Sequence, residues 1–135
     1  TLQENESQSV TLREEMEFVT AYIFLLKMRY EDNLEFDIRI DEAAGARQLP
    51  PMSVQLLIEN AVKHNEISNR HPLVIRVFTE GNRLTVSNPV QRKLTASGGL
   101  QIGLANLAKR YNLLFKEEIE VREENNTFIV TIPLI

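Results

Sequence analysis

The first strongly patterned stretch, "SVTLREEMEFVTAYIFLLKMRY" (9–30), sets Leu12, Met16, Val19, Ile23, Leu26 and Tyr30 in steps of four and three, with no glycine or proline. That spacing draws one apolar stripe down a helix. Thr11 stands three residues ahead of Glu14, the spacing of a capping box, so the helix is expected from about Thr11 to Tyr30. Phe18, Tyr22 and Leu25 make a second stripe beside the first. Two uses for it are open: packing inside the domain, or contact with a partner.

The period then shortens. "LEFDIRI" (34–40) alternates Leu34, Phe36, Ile38 and Ile40 with charged residues, as a strand with one wet face does. "DEAAGARQLPPM" reads as a loop, and Val54–Asn65 as a second helix. "LVIRVF" (Leu73 to Phe78) and "RLTVSN" (Arg83 to Asn88) flank "TEGN" as a hairpin, and "EIEVRE" with "TFIVTIPLI" repeats the arrangement around "ENN". Between the hairpins, "PVQRKLTASGG" is rich in breakers, and "LQIGLANLAKRYNLL" regains helical spacing through Leu104, Leu107, Ala108 and Tyr111. Three helices and about five alternating strands suit a sheet covered on one face, a two-layer α/β sandwich.

Composition narrows the function. A chain of 135 residues is one domain by size, and a net charge of -4 leaves no basic excess for a sequence-independent grip on nucleic acid. The absence of cysteine excludes disulfides, thiolate metal sites and cysteine nucleophiles. No apolar run approaches the roughly 20 residues that a bilayer requires. The chain opens in polar residues without an initiator methionine, "TLQENESQSV", and is expected to be a piece of a longer protein whose membrane anchor lies elsewhere.

The densest chemistry lies in "LLIENAVKHN" (56–65). Unrolled at about 100° per residue, Val54, Leu57, Ile58, Ala61 and Val62 share the arc expected to face the sheet. Glu59, Asn60 and Lys63 take the opposite arc, with His64 at its edge. Such an arc suits a solvated face, where a Glu59–Lys63 pair at i,i+4 contributes a few tenths of a kcal/mol; it also suits half of a chemical site. A second segment, "SGGLQIGLANL", supplies small residues running into a helix start, where backbone N–H groups and the helix dipole favour a polyphosphate. Neither the P-loop pattern nor GxGxxG occurs.

In order, "VTLREEMEFVTAYIFLLKMRY", "LPPMSVQLLIENAVKHN" and "GLQIGLANLAKRYNLLF" resemble the ATP-binding catalytic region of LytS/YehU-type sensor histidine kinases, members of the GHKL ATPase superfamily. The resemblance runs from about Val10 to the end. It implies the Bergerat fold, with a mixed, largely antiparallel sheet, and a division into a helix and linker from the dimerisation region (1–31) and an ATP-binding catalytic domain (32–135). It further implies ATP and Mg²⁺ as ligands and transfer of the γ-phosphoryl to a histidine on a helical dimerisation segment of the same or a sister chain. A cognate response regulator, a homodimeric full-length protein and a cytoplasmic position below a membrane-anchored bacterial sensor belong to the same implication.

By that resemblance Asn60 ligates Mg²⁺ through its carboxamide oxygen, a suitable hard donor. Lys63 neutralises phosphate charge, Glu59 acts through water as a base or polar orienter, and His64 sits at the mouth of the site, where a packing role is equally open. His71 is read as loop. Two departures stand out. Where many members carry an aspartate in a D-x-G-x-G box for adenine, "VSNPVQ" offers Asn88. A neutral acceptor there is expected to cost about 1–2 kcal/mol, roughly tenfold in affinity. Where the family often reads G-x-G-x-G-L, this chain reads Gly99, Leu100, Gln101, Ile102, Gly103, Leu104, with a side chain at the middle position of a phosphate loop formed by Gly99, Gln101, Ile102, Gly103 and Leu104. Residues Pro89 to Gln101 correspond to the lid, in which Arg92 and Lys93 either reach phosphates or are merely solvated. Neither His64 nor His71 stands in the P-H-F context of the phosphoacceptor, so the fragment is expected to bind nucleotide without phosphorylating itself. The alternative is a degenerate, nucleotide-independent module that keeps the fold and uses its first helix to dimerise or to dock a response regulator.

Overall fold

The computed structural model describes residues 9–91 and 99–135, with side chains from 9–91 and 103–135. Strand β1 (Val10–Thr11) ends in the cap of helix α1 (Leu12–Tyr30). Thr11 Oγ1 accepts from the Glu14 N–H at 3.1 Å and Glu14 Oε1 accepts from the Thr11 N–H at 3.0 Å, which completes the expected capping box. At the other end Lys27 Nζ donates to the carbonyls of Glu31 (3.0 Å) and Leu34 (2.7 Å), satisfying oxygens that the ending helix and incoming strand leave open. Of the first stripe, Leu12, Val19 and Leu26 are buried and Met16, Ile23 and Tyr30 pack against them. Of the second, Phe18 and Leu25 remain 68% and 63% exposed, while Tyr22 is half-buried.

Strand β2 (Leu34–Arg39) follows. The segment expected to be a loop is more ordered than that: Asp41 caps a short 3-10 helix, Glu42–Ala46, and strand β3 (Gln48–Leu49) pairs antiparallel with β1. Helix α2 (Ser53–His64) leads to β4 (Leu73–Glu80) and β5 (Arg83–Pro89), joined at Gly81 and Asn82, where Gly81 takes φ +60. Helix α3 (Gly99–Phe115) precedes the hairpin of β6 (Glu120–Glu124) and β7 (Thr127–Pro133). Asn125 and Asn126 form its turn, both at positive φ (49 and 61), as a two-residue hairpin turn demands.

The five-stranded sheet has the order β2-β4-β5-β7-β6, with β2 parallel to β4 and all other neighbours antiparallel. It is mixed and largely antiparallel, as the resemblance implies. Alternation divides its faces. Leu73, Ile75, Val77, Leu84, Val86, Val130 and Ile132 point to the side where Val19, Leu57, Ile58, Leu107 and Tyr111 of the helices complete one core. The other side carries Arg76 opposite Ser87 and Thr85 opposite Thr131, whose hydroxyls meet at 3.1 Å. Residues 12–30 contribute to the same core as the rest of the chain.

Candidate functional site

Helix α2 follows two prolines and a left-handed residue, Met52 (φ 67), which offers no side-chain cap. Its sheet-facing arc is as the spacing predicts: Val54, Leu57, Ile58, Ala61 and Val62 are all buried. The opposite arc is not uniformly wet. Asn60 is half-buried, and its Nδ2 is enclosed with no hydrogen-bond partner among the described residues. His64, expected at the edge of the arc, is only 7% exposed. For Asn60 the neighbour is α3, which packs across α2 so closely that a Cβ at Gly103 would lie 3.2 Å from Asn60 Nδ2; His64 faces the cavity that the strands line. A neighbouring helix has roofed a face that periodicity alone assigns to solvent.

Beneath that roof Asn60, His64, Asn65 and Asn88 line one cavity with Leu57 and Phe128. Asn88 reaches it because it continues the helix-facing alternation of β5 after Leu84 and Val86, opposite Phe128. It is 2% exposed, and its Nδ2 donates to the Pro89 carbonyl at 2.7 Å. A carboxamide has two N–H donors and a carbonyl oxygen, so that bond leaves capacity for a ligand. The cavity is small, about 30 Å³, room for water but not for a purine ring.

The remaining candidates are distributed differently. Glu59 and Lys63 are exposed and do not line the cavity. Glu59 lies near α1, where its negative charge adds to burial in raising the Tyr22 phenol above its ordinary pKa. Leu104 is buried in the core, so its side chain serves packing. Gly99, Gln101 and Ile102 lie within α3 rather than in the expected phosphate loop. A side chain is ordinary in a helix, where backbone bonding already fixes φ and ψ. The side chains of Gln101 and Ile102 lie outside the described residues, as do Arg92 and Lys93 and most of the expected lid. His71 is exposed in the loop ahead of β4, as read from the sequence.

Asn65, which marks the expected end of α2 in the sequence, also lines the cavity. Its Nδ2 donates to the Ala61 carbonyl (2.8 Å) and its Oδ1 accepts from the Gln91 N–H (2.7 Å), while Gln91 Nε2 donates to the carbonyls of Glu66 (3.0 Å) and His71 (3.2 Å). This clasp ties the chain leaving β5 to the end of α2, beside the cavity that Asn65 and Val90 line. Its only sequence signal is an asparagine just past a helix end.

Among the described residues no cluster of three or more His, Cys, Asp or Glu side chains is placed to hold a metal, and no helix is long and apolar enough to cross a membrane. Asn60 is the donor that fits a hard cation: a half-buried carboxamide whose enclosed Nδ2 has no partner among the described residues, and whose oxygen and nitrogen exchange places by a simple flip. One protein oxygen suits Mg²⁺, which keeps waters and takes its remaining ligands from phosphate.

The solved structures that this chain resembles include the cytoplasmic segment of histidine kinase QseC, with TM-score 0.65 and 12% identity over 94% of this chain and 76% of that one. They also include the nucleotide-free catalytic domain of histidine kinase ThkA, with TM-score 0.62 and 16% identity over 93% of this chain and 97% of that one. The fold is that of a histidine kinase catalytic domain, the GHKL type. Within that class its sequence relatives are sensor histidine kinases of the YesM and LytS kind. Sensor histidine kinase YesM of Bacillus subtilis is 29% identical over 137 residues, 92% of this chain and 24% of that protein. Sensor protein LytS of Staphylococcus epidermidis is 34% identical over 126 residues, 81% of this chain and 21% of that protein. The chain thus spans a quarter or less of the length of these relatives. No protein-family profile matches it.

Proposed function

We propose that this chain is the ATP-binding catalytic domain of a two-component sensor histidine kinase, one that phosphorylates a histidine outside the 135 residues. The observation that carries the reading is Asn60, whose Nδ2 is enclosed beneath Gly103 with no partner among the described residues and which shares a cavity with Asn88. Asn60 would hold Mg²⁺ through Oδ1, and Asn88 would accept from the adenine amine while donating to a ring nitrogen. Leu57 and Phe128 would flank the base, and the positive end of α3 would face the phosphates. Bound Mg²⁺ would supply the charge neutralisation that phosphoryl transfer requires. Lys63, exposed and away from the cavity, would act on phosphate charge only from the rim, and Glu59 would act through water if at all near the reacting group. His64, enclosed among cavity residues, would shape the wall.

In the same reading α1 belongs to the dimerisation region and offers Phe18, Leu25 and Met28, all exposed, to a second copy. The full protein would be a membrane-anchored homodimer with this domain in the cytoplasm and a response regulator as its downstream partner. Calorimetric titration with Mg²⁺–ADP tests the core of the proposal. Binding should be present in the wild-type chain, fall more than about tenfold in Asn60→Ala and fall less in Lys63→Ala, since loss of a metal donor outweighs loss of a rim charge. Affinity unchanged by Asn60→Ala would sink the assignment. Phosphohistidine appearing on the isolated chain would refute the external acceptor.

A further inference from the structure

Helix α2 begins without a cap of its own. Met52 occupies the cap position in the left-handed region with no side-chain hydrogen bond, so the first N–H groups of the helix need acceptors from elsewhere. They find them in Glu15, one turn into α1. Glu15 Oε1 accepts from the Met52 N–H at 2.8 Å, and Oε2 accepts from the N–H groups of Val54 at 3.0 Å and Gln55 at 3.3 Å. The carboxylate is 3% exposed.

We propose that Glu15 is a positioning residue that couples the attitude of α1 to the nucleotide site. The inference rests on the reading of Asn60 given above. Three elements meet at the turn that Glu15 holds. Ser53 Oγ donates to the Pro50 carbonyl at 2.6 Å, and Arg110 of α3 donates to the Pro51 carbonyl. Next to Arg110, Tyr111 Oη donates to the Pro133 carbonyl at 2.8 Å, anchoring α3 to the end of β7. Glu15 stands near enough for its charge, after burial itself, to help raise the Tyr111 phenol. The turn at Pro50 to Met52 is therefore the common anchor of α2 and α3.

Those two helices form the walls around Asn60. Asn60 lies six residues beyond Val54, about 9 Å along a rigid helix axis, and Gly103 lies two turns before Arg110 on the helix that roofs it. A displacement of α1 that unseats Glu15 acts at the start of α2 and beside the grip of α3. Because a buried carboxylate is tolerated only while its hydrogen bonds are made, the contact is either seated or broken, and intermediate positions are disfavoured. On its outer side α1 exposes Phe18, Leu25 and Met28, where an external push can be applied without touching the core.

The test uses the side-chain amide resonances of Asn60, identified by their loss in Asn60→Ala, together with the dissociation constant for Mg²⁺–ADP. Glu15→Gln keeps the shape and replaces one acceptor oxygen by a donor facing backbone N–H groups; Glu15→Asp keeps the charge and shortens the reach. Leu26→Ala, buried at the far end of α1, lowers stability without touching the turn. Glu15→Gln should move the Asn60 resonances and weaken Mg²⁺–ADP about tenfold. Glu15→Asp should do so less, and Leu26→Ala should lower Tm with resonances and affinity unmoved. Asn60 resonances in Glu15→Gln and Glu15→Asp that superimpose on wild type overturn the proposal, as does an equal movement in Leu26→Ala. If the wild-type chain binds no nucleotide, the proposed function falls, while the Asn60 resonances still decide the coupling.

Discussion

Gly103 shows how a single missing methyl group shapes the site. A Cβ there would stand 3.2 Å from Asn60 Nδ2, close enough that the carboxamide must give by a few tenths of an ångström. In a helix interior alanine is favoured over glycine by about 1 kcal/mol, so Gly103→Ala should leave Tm equal or higher while weakening Mg²⁺–ADP. Differential scanning calorimetry and titration on the same sample check both signs; a variant that loses stability and keeps affinity contradicts the close-approach argument. Tyr111 makes a second residue-scale case. Burial, aided by the nearby negative charge of Glu15, raises its phenol well above the ordinary value, so the folded state disfavours ionisation. The unfolded chain ionises first, near pH 10. The stability Tyr111 contributes is therefore full below about pH 10 and is lost as pH rises toward its folded pKa. Tyr111→Phe should lose the bond to Pro133 at neutral pH and show a shallower alkaline fall in urea denaturation between pH 9 and 11, ~1 unit either side of the free phenol.

Among the elements, α1 is the one whose start is written most legibly. The Thr11 to Glu14 spacing becomes a reciprocal cap, and the exposed Glu14 carboxyl is held below its ordinary pKa by the Thr11 backbone N–H first and the Thr11 hydroxyl second. The sign for Glu14 is opposite to that for Tyr111: its contribution is present above the ordinary carboxylate range and disappears as pH falls through the lowered value. Thr11→Ala should cost about 1 kcal/mol in chemical denaturation and leave nucleotide affinity unchanged, because Thr11 lies a full turn before Glu15 and takes no part in the bonds that Glu15 makes to the start of α2. The start of α2 is the contrasting case. Its cap comes from residue 15 of another helix, so no local pattern around Pro50 to Ser53 announces it.

For the whole molecule, the sheet order β2-β4-β5-β7-β6 puts Asn88 of β5 and Phe128 of β7 side by side under α2, and that junction is the candidate base pocket. At about 30 Å³ the pocket is narrow, and several of its walls, Leu57, Ala61, Val86 and Val130 among them, belong to the shared core. A ligand that binds only the folded state stabilises it by mass action, about 2.7 kcal/mol at 100 times Kd. Mg²⁺–ADP should therefore raise Tm in a concentration-dependent way, and Asn60→Ala should abolish most of the rise. A wild-type Tm that is flat across millimolar nucleotide would contradict an ATP-binding role for this fold.

Much of this architecture was legible without coordinates, because it depends on short-range rules. Alternation in "LVIRVF" and "RLTVSN", the asparagine pair in "ENN" and the three-and-four spacing in α1 and α2 each report a local geometry, and each became the element expected. Asn60 stood out on the polar arc of its own helix, while its metal role and the candidacy of Asn88 followed from the resemblance to the kinase family. Burial was not legible in this way. Periodicity places a residue on an arc of its own helix and is silent on what crosses that arc. Only tertiary packing set Gly103 of α3 against Asn60, enclosed His64 beside Asn88 and Phe128, left Glu59 and Lys63 outside, and brought Gln91 to Asn65 as a clasp. Glu15 is the extreme instance: in sequence it is one of several glutamates on an amphipathic helix, and only tertiary contact across nearly forty residues makes it the cap of the helix that carries the site.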